Sequence, residues 1–246
     1  MKKIAVILFL LPLLAAGRAS GLGLNPAVTE LLVSPGMTHR RSITVTNPSE
    51  TAVQLEVQLE NWLKRRGVET ETASIEPREW ITFPAQTHLG PGESRTIEYD
   101  IHIPHGLKGQ LVAMAFFTPV TRQEGLSLRS RFGASIYAAI KGTEEIACEI
   151  TNIYATDNGF RVSFRNKGNV HLRPDGYVMV TGRSGSAVKV PLQAGTPVFP
   201  GKDHSYIAVL GEALPGGFYV AQAVIEYGMM YGEKRTIKSE AVSFTR

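Results

Sequence analysis

The sequence lacks the features that disulfide-stapled and membrane-spanning proteins need. Cys148 is the only cysteine among 246 residues, so no disulfide can form within the chain and hydrophobic cores must supply the stability. Because Cys148 lies in the apolar stretch Ile146–Ile150, we expect a buried thiol, with pairing to another molecule as the alternative. Beyond the amino-terminal segment no stretch is apolar enough to span a membrane, which takes about 20 residues.

An excess of one charge is also missing. The chain has 26 Lys and Arg against 22 Asp and Glu, and removing Lys2, Lys3 and Arg18 with the amino-terminal segment lowers the formal net charge from +4 to +1. Residues 22–142 hold 12 basic and 12 acidic residues, and residues 143–246 hold 11 and 10. Neither half has the positive excess that binding to a phosphate backbone uses, so the composition argues against a nucleic-acid partner.

Motifs of catalysis and metal binding are absent as well. No histidine pair has the H-E-x-x-H spacing, and no glycine-rich phosphate loop is present. Gly182–Ser186 has the outline of a nucleophile elbow but lies in a polar hairpin without a strand-to-helix context. We therefore predict a protein that is not an enzyme and that has no metal or cofactor. We expect solvated or turn positions for all six histidines: His39, His88, His102, His105, His171 and His204.

The segment Met1–Gly21 has the pattern of an export signal. Two lysines precede the 13-residue apolar run Ile4–Ala16, and small residues suited to cleavage follow. That run is shorter than the roughly 20 residues of a membrane span. We expect cleavage of the signal and a soluble protein outside the cytoplasm, with an uncleaved interfacial anchor as the alternative.

Strand patterns dominate the rest of the chain. Val53–Leu59 and Arg95–Ile103 alternate apolar and polar residues with the period of two that a half-buried antiparallel strand requires. Leu111–Val120 is more continuously apolar, and Leu126–Ile140 reads as one long strand. Short strands separated by Gly and Pro predict an all-β protein of two immunoglobulin-like β-sandwich domains joined by a short linker.

An internal repeat supports two domains. Gly90–Ser94 and Phe199–Asp203 share a Pro-Gly turn, and each is followed by an alternating strand, a further turn and an apolar strand. Upstream, Thr44–Asn47 and Val162–Asn166 also correspond, since each ends at an asparagine before a turn.

The repeat places the domain boundary near the middle of the chain. We predict domains at 22–142 and 143–246, with Lys141–Glu145 as the connection. The first copy is about ten residues longer, and the polar segment Lys64–Glu79 is the expected insertion.

The first of these domains resembles the amino-terminal domain of the PapD-like periplasmic pilus (fimbrial) chaperones. The resemblance implies a non-enzymatic chaperone that supplies a β-strand to an incomplete pilin-like or surface-fibre subunit, a mode called donor-strand complementation. It also implies an outer-membrane usher as a further partner. The matching residues are Ser42–Asn47, Ala52–Trp62, Trp80–Phe83, Leu89–Ser94, Thr96–Ile103 and Arg131–Lys141.

The strand Leu126–Ile140 is the candidate donor strand. We expect Ala134–Ile140 to close the first domain's own core and Leu126–Phe132 to fill the groove of a subunit, whereas packing of Leu126 and Leu128 in a hairpin is the alternative. One face carries Leu126, Leu128, Phe132, Ala134, Ile136, Ala138 and Ile140. The predicted partner-binding residues are Leu126, Leu128, Phe132, Arg129, Arg131 and Lys141.

The sequence departs from the family at one point. The resemblance implies that an Arg in the first strand and a Lys in the last strand bind the subunit's terminal carboxylate. Val28–Val33 contains neither residue type, and the expected Lys position falls near Tyr137. Lys141, Arg131 or Arg40 are the possible substitutes. The alternative function is an exported structural or adhesive protein that binds a cell-wall or surface partner.

The all-β prediction has a simple spectroscopic test. Far-UV circular dichroism of the mature protein is expected to show little helix, because typical globular domains carry roughly a third. A helical content above about a fifth would contradict the two-sandwich interpretation.

Overall fold

Strands form almost all of the regular structure. The structure, a computed structural model, describes residues 21–120, 130–230 and 232–246, so the predicted signal lies outside it apart from Gly21. Within these ranges no helix is long and apolar enough to cross a membrane.

The first sandwich packs two sheets on each other. Its strands are β1 (Gly23–Asn25), β2 (Val28–Val33), β3 (Thr38–Thr46), β4 (Val53–Asn61), β5 (Ile81–Thr82), β6 (Gln86–Leu89), β7 (Ser94–His102), β8 (Gln110–Pro119) and β9 (Phe132–Ile140). One sheet has the order β1-β3-β7-β5 and the other β2-β9-β8-β4-β6. Between β4 and β5 lie the short helix α1 (Trp62–Arg65) and two 3₁₀ turns, Glu71–Ser74 and Pro77–Glu79, where the insertion was predicted.

The period-two prediction is confirmed in β4 and β7. Leu55 and Val57 of β4 are buried in the first core, and Ile97, Tyr99 and Ile101 of β7 face them from the other sheet. The side chains of β8 split between two environments because they alternate faces. Its core residues are Leu111, Ala113, Ala115 and Phe117.

The second sandwich has its own core, separate from the first. Its strands are β10 (Cys148–Thr156), β11 (Gly159–Asn166), β12 (Asp175–Gly182), β13 (Ala187–Pro191), β14 (Asp203–Val209), β15 (Phe218–Tyr227), β16 (Arg235–Lys238) and β17 (Val242–Thr245). The sheets are β10-β11-β14 and β13-β12-β15-β16, with β17 also beside β15. Cys148 is half-buried against this core, and burial raises the pKa of its thiol to about 11.

The sequence repeat corresponds to a repeated hydrogen-bond motif. The buried amide of Asn47 donates from Nδ2 to the carbonyls of Thr51 and Gly90, at 2.8 and 2.9 Å. In the second domain Asn166 Nδ2 donates to Val170 and Val198 carbonyls, at 2.7 and 2.8 Å. In each copy the Oδ1 atom accepts from the backbone N–H two residues on, which is Ser49 or Gly168. Each asparagine thus ties its own turn to the Pro-Gly turn far along the chain.

The connection between the domains is hydrogen-bonded along its length. Lys141 N–H donates to Val33 O at 2.8 Å, and the Thr143 hydroxyl donates to Ile140 O at 2.8 Å. From the second domain, Asn169 Nδ2 donates to Thr143 O and Asn169 Oδ1 accepts from Glu145 N–H. A short linker held in this way favours a fixed angle over a free tether.

The asparagine motif predicts a strong effect from a small substitution. Asn166→Ala leaves two carbonyls and one N–H without their partner in a buried site, and each unpaired buried group costs about 1–3 kcal/mol. We expect the free energy of unfolding of the second domain, measured by urea denaturation, to fall by at least 2 kcal/mol, an order-of-magnitude figure from the same costs. Asn152→Ala, at an exposed position of β10, is the control and should stay within about 0.5 kcal/mol. Equal effects for both variants would show that the motif is not stabilising.

Candidate functional site

Strand β9 has two differently paired halves. On one side it pairs antiparallel with β8 from Phe132 to Ala139. On the other side it pairs with β2, in parallel, only from Ser135 to Ile140. Among the described residues, the edge of Phe132–Ala134 that faces away from β8 therefore has no strand ladder. The candidate donor strand presents an open edge just where its own domain stops covering it.

The buried half of β9 agrees with the sequence prediction. Its inward side chains lie in the first core and are at most 4% exposed: Ala134, Ile136, Ala138 and Ile140. Phe132 differs, because it is half-buried and packs against the edge of this core rather than standing clear of it. A side chain at the end of a sheet can cover the last core residues, which an alternation pattern does not reveal. Leu126, Leu128 and Arg129 lie outside the described residues. The prediction of one strand over Leu126–Ile140 is wrong at Ser130 and Arg131, which are described and lie in no strand, since β9 begins at Phe132.

Arg131 is engaged with its own domain. Its guanidinium carbon lies 3.8 Å from the centroid of the Phe116 ring, and Nη2 donates to Glu60. The edge of the Trp62 ring meets the same Phe116 at a centroid distance of 6.2 Å. Since the Arg131 and Glu60 side chains remain 39% and 33% exposed, their ion pair adds little stability, about 0–1 kcal/mol.

Lys141 lies just beyond β9 and is exposed. Its side chain has no carboxylate within ion-pair distance in the part of the chain that the structure describes. The six predicted partner-binding residues are therefore not seen to form one cluster: Phe132 and Arg131 sit at the open end of β9, and Lys141 at the opposite end.

A buried polar cluster joins the two domains, and the sequence did not indicate it. Glu30 on β2 has a side chain that is 4% exposed, and its Oε1 accepts from Arg173 Nε at 2.7 Å. His171 Nε2 lies 3.1 Å from the same oxygen. Gln110 on β8 accepts from the His171 backbone N–H through Oε1, at 2.9 Å, and His171 Nδ1 lies 3.0 Å from that oxygen.

The prediction of a solvated or turn position is wrong for His171. Its side chain is 1% exposed, and its ring lies 4.3 Å from the Tyr137 ring, centroid to centroid. The signals that could have identified the cluster are an acid in the apolar strand Val28–Val33 and a histidine between Val170 and Leu172. The cavity beside the cluster measures only about 10 Å³, so it has no room for a ligand.

Burial and charge act in opposite directions on the two titratable groups of the cluster. Burial alone would raise the pKa of Glu30, but hydrogen bonds and charges from His171 and Arg173 outweigh it and lower that pKa below its ordinary value. At His171, in contrast, burial outweighs the other effects and lowers the pKa, and the Glu30 carboxylate opposes this shift. The cluster therefore holds an ionised Glu30 between the domains.

The cationic pair that the resemblance implied is not present at the junction of β2 and β9. Glu30 is the register partner of Tyr137, the residue near which the family's Lys was expected. Of the three possible substitutes, Arg40 pairs with Asp100 at 3.0 Å and Arg131 with Glu60. An acid that is already neutralised by Arg173 thus occupies the place where a cation was expected.

Solved structures share this architecture. The class 5 fimbriae chaperone CfaA is 14% identical, with 92% of this chain and 99% of that chain covered and a TM-score of 0.50. A chain of the CsuC–CsuE chaperone–tip adhesion subunit complex, from the archaic chaperone-usher Csu pili of Acinetobacter baumannii, is 9% identical. There the match covers 89% of this chain and 98% of that chain, with a TM-score of 0.50.

These likenesses establish the fold. Neither a protein-family model nor a curated protein matches the chain. The chain has the two-domain β-sandwich fold of the PapD-like fimbrial chaperones.

The interdomain cluster predicts a pH-dependent stability. Glu30→Gln leaves Arg173 and His171 without their carboxylate, and a broken buried pair costs about 3–5 kcal/mol. We expect about 3 kcal/mol at neutral pH, the lower end of that range, because the Arg173 side chain is still 25% exposed. The folded-state pKa of Glu30 is lowered, so its contribution is present above the unfolded value, about 4.3, and is lost as pH falls through the folded pKa.

Urea unfolding at a series of pH values checks this prediction. The difference in unfolding free energy between the parent protein and Glu30→Gln should shrink as the solution is acidified below about pH 4. Glu98→Gln is the control, since its side chain is 69% exposed and lies 4.0 Å from Arg40. A constant difference at all pH values would contradict the assignment of an ionised Glu30.

Proposed function

We propose that the protein is a periplasmic chaperone that holds pilus or surface-fibre subunits by supplying a β-strand, formed by the start of β9 and the residues before it. The observation that carries the proposal is the open edge of Phe132–Ala134 in a two-domain fold shared with fimbrial chaperones. The apolar positions Leu126 and Leu128 continue the same face in sequence.

The physical reason for such a chaperone lies in the partner. A sheet that lacks its last strand exposes both unpaired backbone groups and an apolar groove, and such edges aggregate. A supplied strand pairs the edge through main-chain hydrogen bonds, and its alternate side chains fill the groove. A strand that is anchored at one end in a folded core suits this role, because the anchored end already fixes its position and direction.

The difference between the buried part of β9 and its open start supports the proposal. Ile136, Ala138 and Ile140 are buried in the chaperone's own core and hold the strand in place. Phe132 marks the transition, since it is half-buried and lies three residues before the β2 pairing begins at Ser135. The residues before it remain the proposed subunit-contacting half.

In the proposed role, the β2–β9 junction does not bind the terminal carboxylate of the subunit, as the family's cationic pair would. Glu30 and Tyr137 occupy the two register positions there, and Arg173 is already bound to Glu30. Affinity for a subunit would then come from strand pairing and groove filling. An outer-membrane usher as a second partner, and export by the signal Met1–Gly21, complete the proposed role.

The decisive variant changes the proposed subunit-contacting half alone. Leu126→Ser/Leu128→Ser should remain folded, because the core uses Ala134–Ile140, but should lose capture of a co-expressed subunit encoded beside its gene. Each buried leucine contributes about 1.5–3 kcal/mol on binding. The measurements are the thermal midpoint of the variant alone and the yield of subunit in a pull-down.

A matched control removes two exposed apolar side chains elsewhere. Val188→Ser/Val209→Ser, at positions 45% and 41% exposed in the second domain, should leave capture unchanged. A fall of the midpoint by more than about 8 °C in the leucine variant, with no binding defect beyond that unfolding, would contradict the donor-strand assignment. Undiminished capture of a cell-surface partner by that variant would favour the adhesive alternative.

A further inference from the structure

Two cationic side chains, one from each domain, meet at the domain boundary on the side of the insertion. Arg66 follows directly after α1 in the first domain, and Lys202 lies in the Pro-Gly turn before β14 in the second. Lys202 Nζ lies 3.6 Å from the position that a Cβ on Gly67 would occupy. The Lys202 ammonium group therefore lies beside the backbone of Gly67, the residue that follows Arg66.

These cations line a groove between the domains. One opening, of about 250 Å³, is bordered by Arg66, Lys202, His204 and Phe199. Lys202 also borders a second opening, of about 420 Å³, together with Gly67 and Gly201. Lys202 borders both openings, so a bound chain that reaches its ammonium group could extend into either of them.

Arg66 and Lys202 carry charge that the protein does not neutralise. Among the described residues neither has a carboxylate within 4.0 Å, whereas three neighbouring cations do. Two acids border the openings, Glu69 the larger and Asp203 the smaller, and neither is in ion-pair contact with Arg66 or Lys202. The paired neighbours are Lys64 with Glu76 at 2.9 Å, Lys167 with Glu149 at 3.2 Å and Arg165 with Asp203 at 2.6 Å.

The Arg66 side chain is also oriented by a neighbouring ring. The Arg66 guanidinium carbon lies 5.0 Å from the centroid of the Trp62 ring, an arrangement that orients its planar donor fork. Gly67 has a φ of +62°, in the left-handed region that glycine adopts without strain, and it turns the chain directly after α1. Behind them Phe199 packs against Leu63 and Val68, so the floor of the groove is apolar.

We infer that this groove binds an acidic segment of the partner subunit, with Asp or Glu side chains reaching Arg66 and Lys202 across the domain boundary. Charge complementarity supports this inference: two cations without a carboxylate partner beside an apolar floor favour carboxylates, and charge-assisted hydrogen bonds are the stronger kind. The inference rests on the proposed function for the identity of the partner. The groove uses side chains other than the open edge of β9, so it would add a second contact to the supplied strand.

The test uses a peptide probe and does not depend on subunit capture. The ¹⁵N-labelled full-length mature protein is titrated with an octapeptide of alternating Glu and Gly that is blocked at both ends. Amide shifts are expected at Gly67, Gly201 and Lys202, and they should weaken strongly between about 50 and 300 mM NaCl, as screening shortens the reach of the charges. Arg66→Gln/Lys202→Gln should weaken binding about tenfold or more, since two charge-assisted contacts are lost.

The controls separate this site from other sources of binding. Arg183→Gln/Lys189→Gln, which removes two cations that lie over aromatic rings in the second domain, should bind the peptide like the parent protein. The inference is overturned if the parent protein binds a blocked Gln-Gly peptide as tightly as the Glu-Gly peptide. It is also overturned if Arg66→Gln/Lys202→Gln binds the Glu-Gly peptide as tightly as the parent protein does. Binding of a Gln-Gly peptide only when its carboxyl terminus is free also overturns it, in favour of a terminal carboxylate. None of these results bears on the Leu126 and Leu128 variants, so failure of the groove and failure of the proposed chaperone role can be told apart.

Discussion

The buried carboxylate of Glu30 is the interaction on which the arrangement of the two domains depends. It lies on the strand that runs beside β9, and it is bound by Arg173 and His171 of the second domain. Together with the hydrogen-bonded linker, this side chain ties the second sandwich to the strand β2 of the first. The backbone ladder of that same strand covers the edge of β9 from Ser135 to Ile140. Where the ladder with β2 ends, the open edge of β9 begins, so β2 takes part both in the domain contact and in the boundary of the proposed donor strand.

Most of the fold could be predicted because its determinants are local in sequence. The alternation in β4 and β7 fixes which side chains enter the core, since a strand places successive residues on opposite faces. The repeat of an asparagine followed by a Pro-Gly turn was visible as a spacing, and its physical cause is the amide that bridges two distant carbonyls in each domain. The burial of Ala134–Ile140 could be predicted for the same reason, because these residues follow one another in a single strand and their alternation is visible in the sequence.

The junction between the domains could not be predicted in this way. Glu30 and His171 are 141 positions apart, and their contact exists only once the angle between two separately folded sandwiches is set. A histidine among apolar residues, such as His171, is compatible with either a turn or a core. The neighbouring sequence does not indicate which distant residue its ring would hydrogen-bond. The same holds for Arg66 and Lys202, whose significance depends on the opposing domain. The half-burial of Phe132 could not be predicted either, since an alternating pattern shows which face of a strand is apolar but not where the core ends.

The lone thiol has a consequence for redox chemistry. With a pKa of about 11, Cys148 is almost fully protonated near neutral pH, with about one molecule in ten thousand present as thiolate. Thiol–disulfide exchange proceeds through the thiolate, so attack by this group on a foreign disulfide is slow. Half-burial in the second domain further restricts access to the sulfur. In an oxidising environment Cys148 is therefore slow to form mixed disulfides with other proteins.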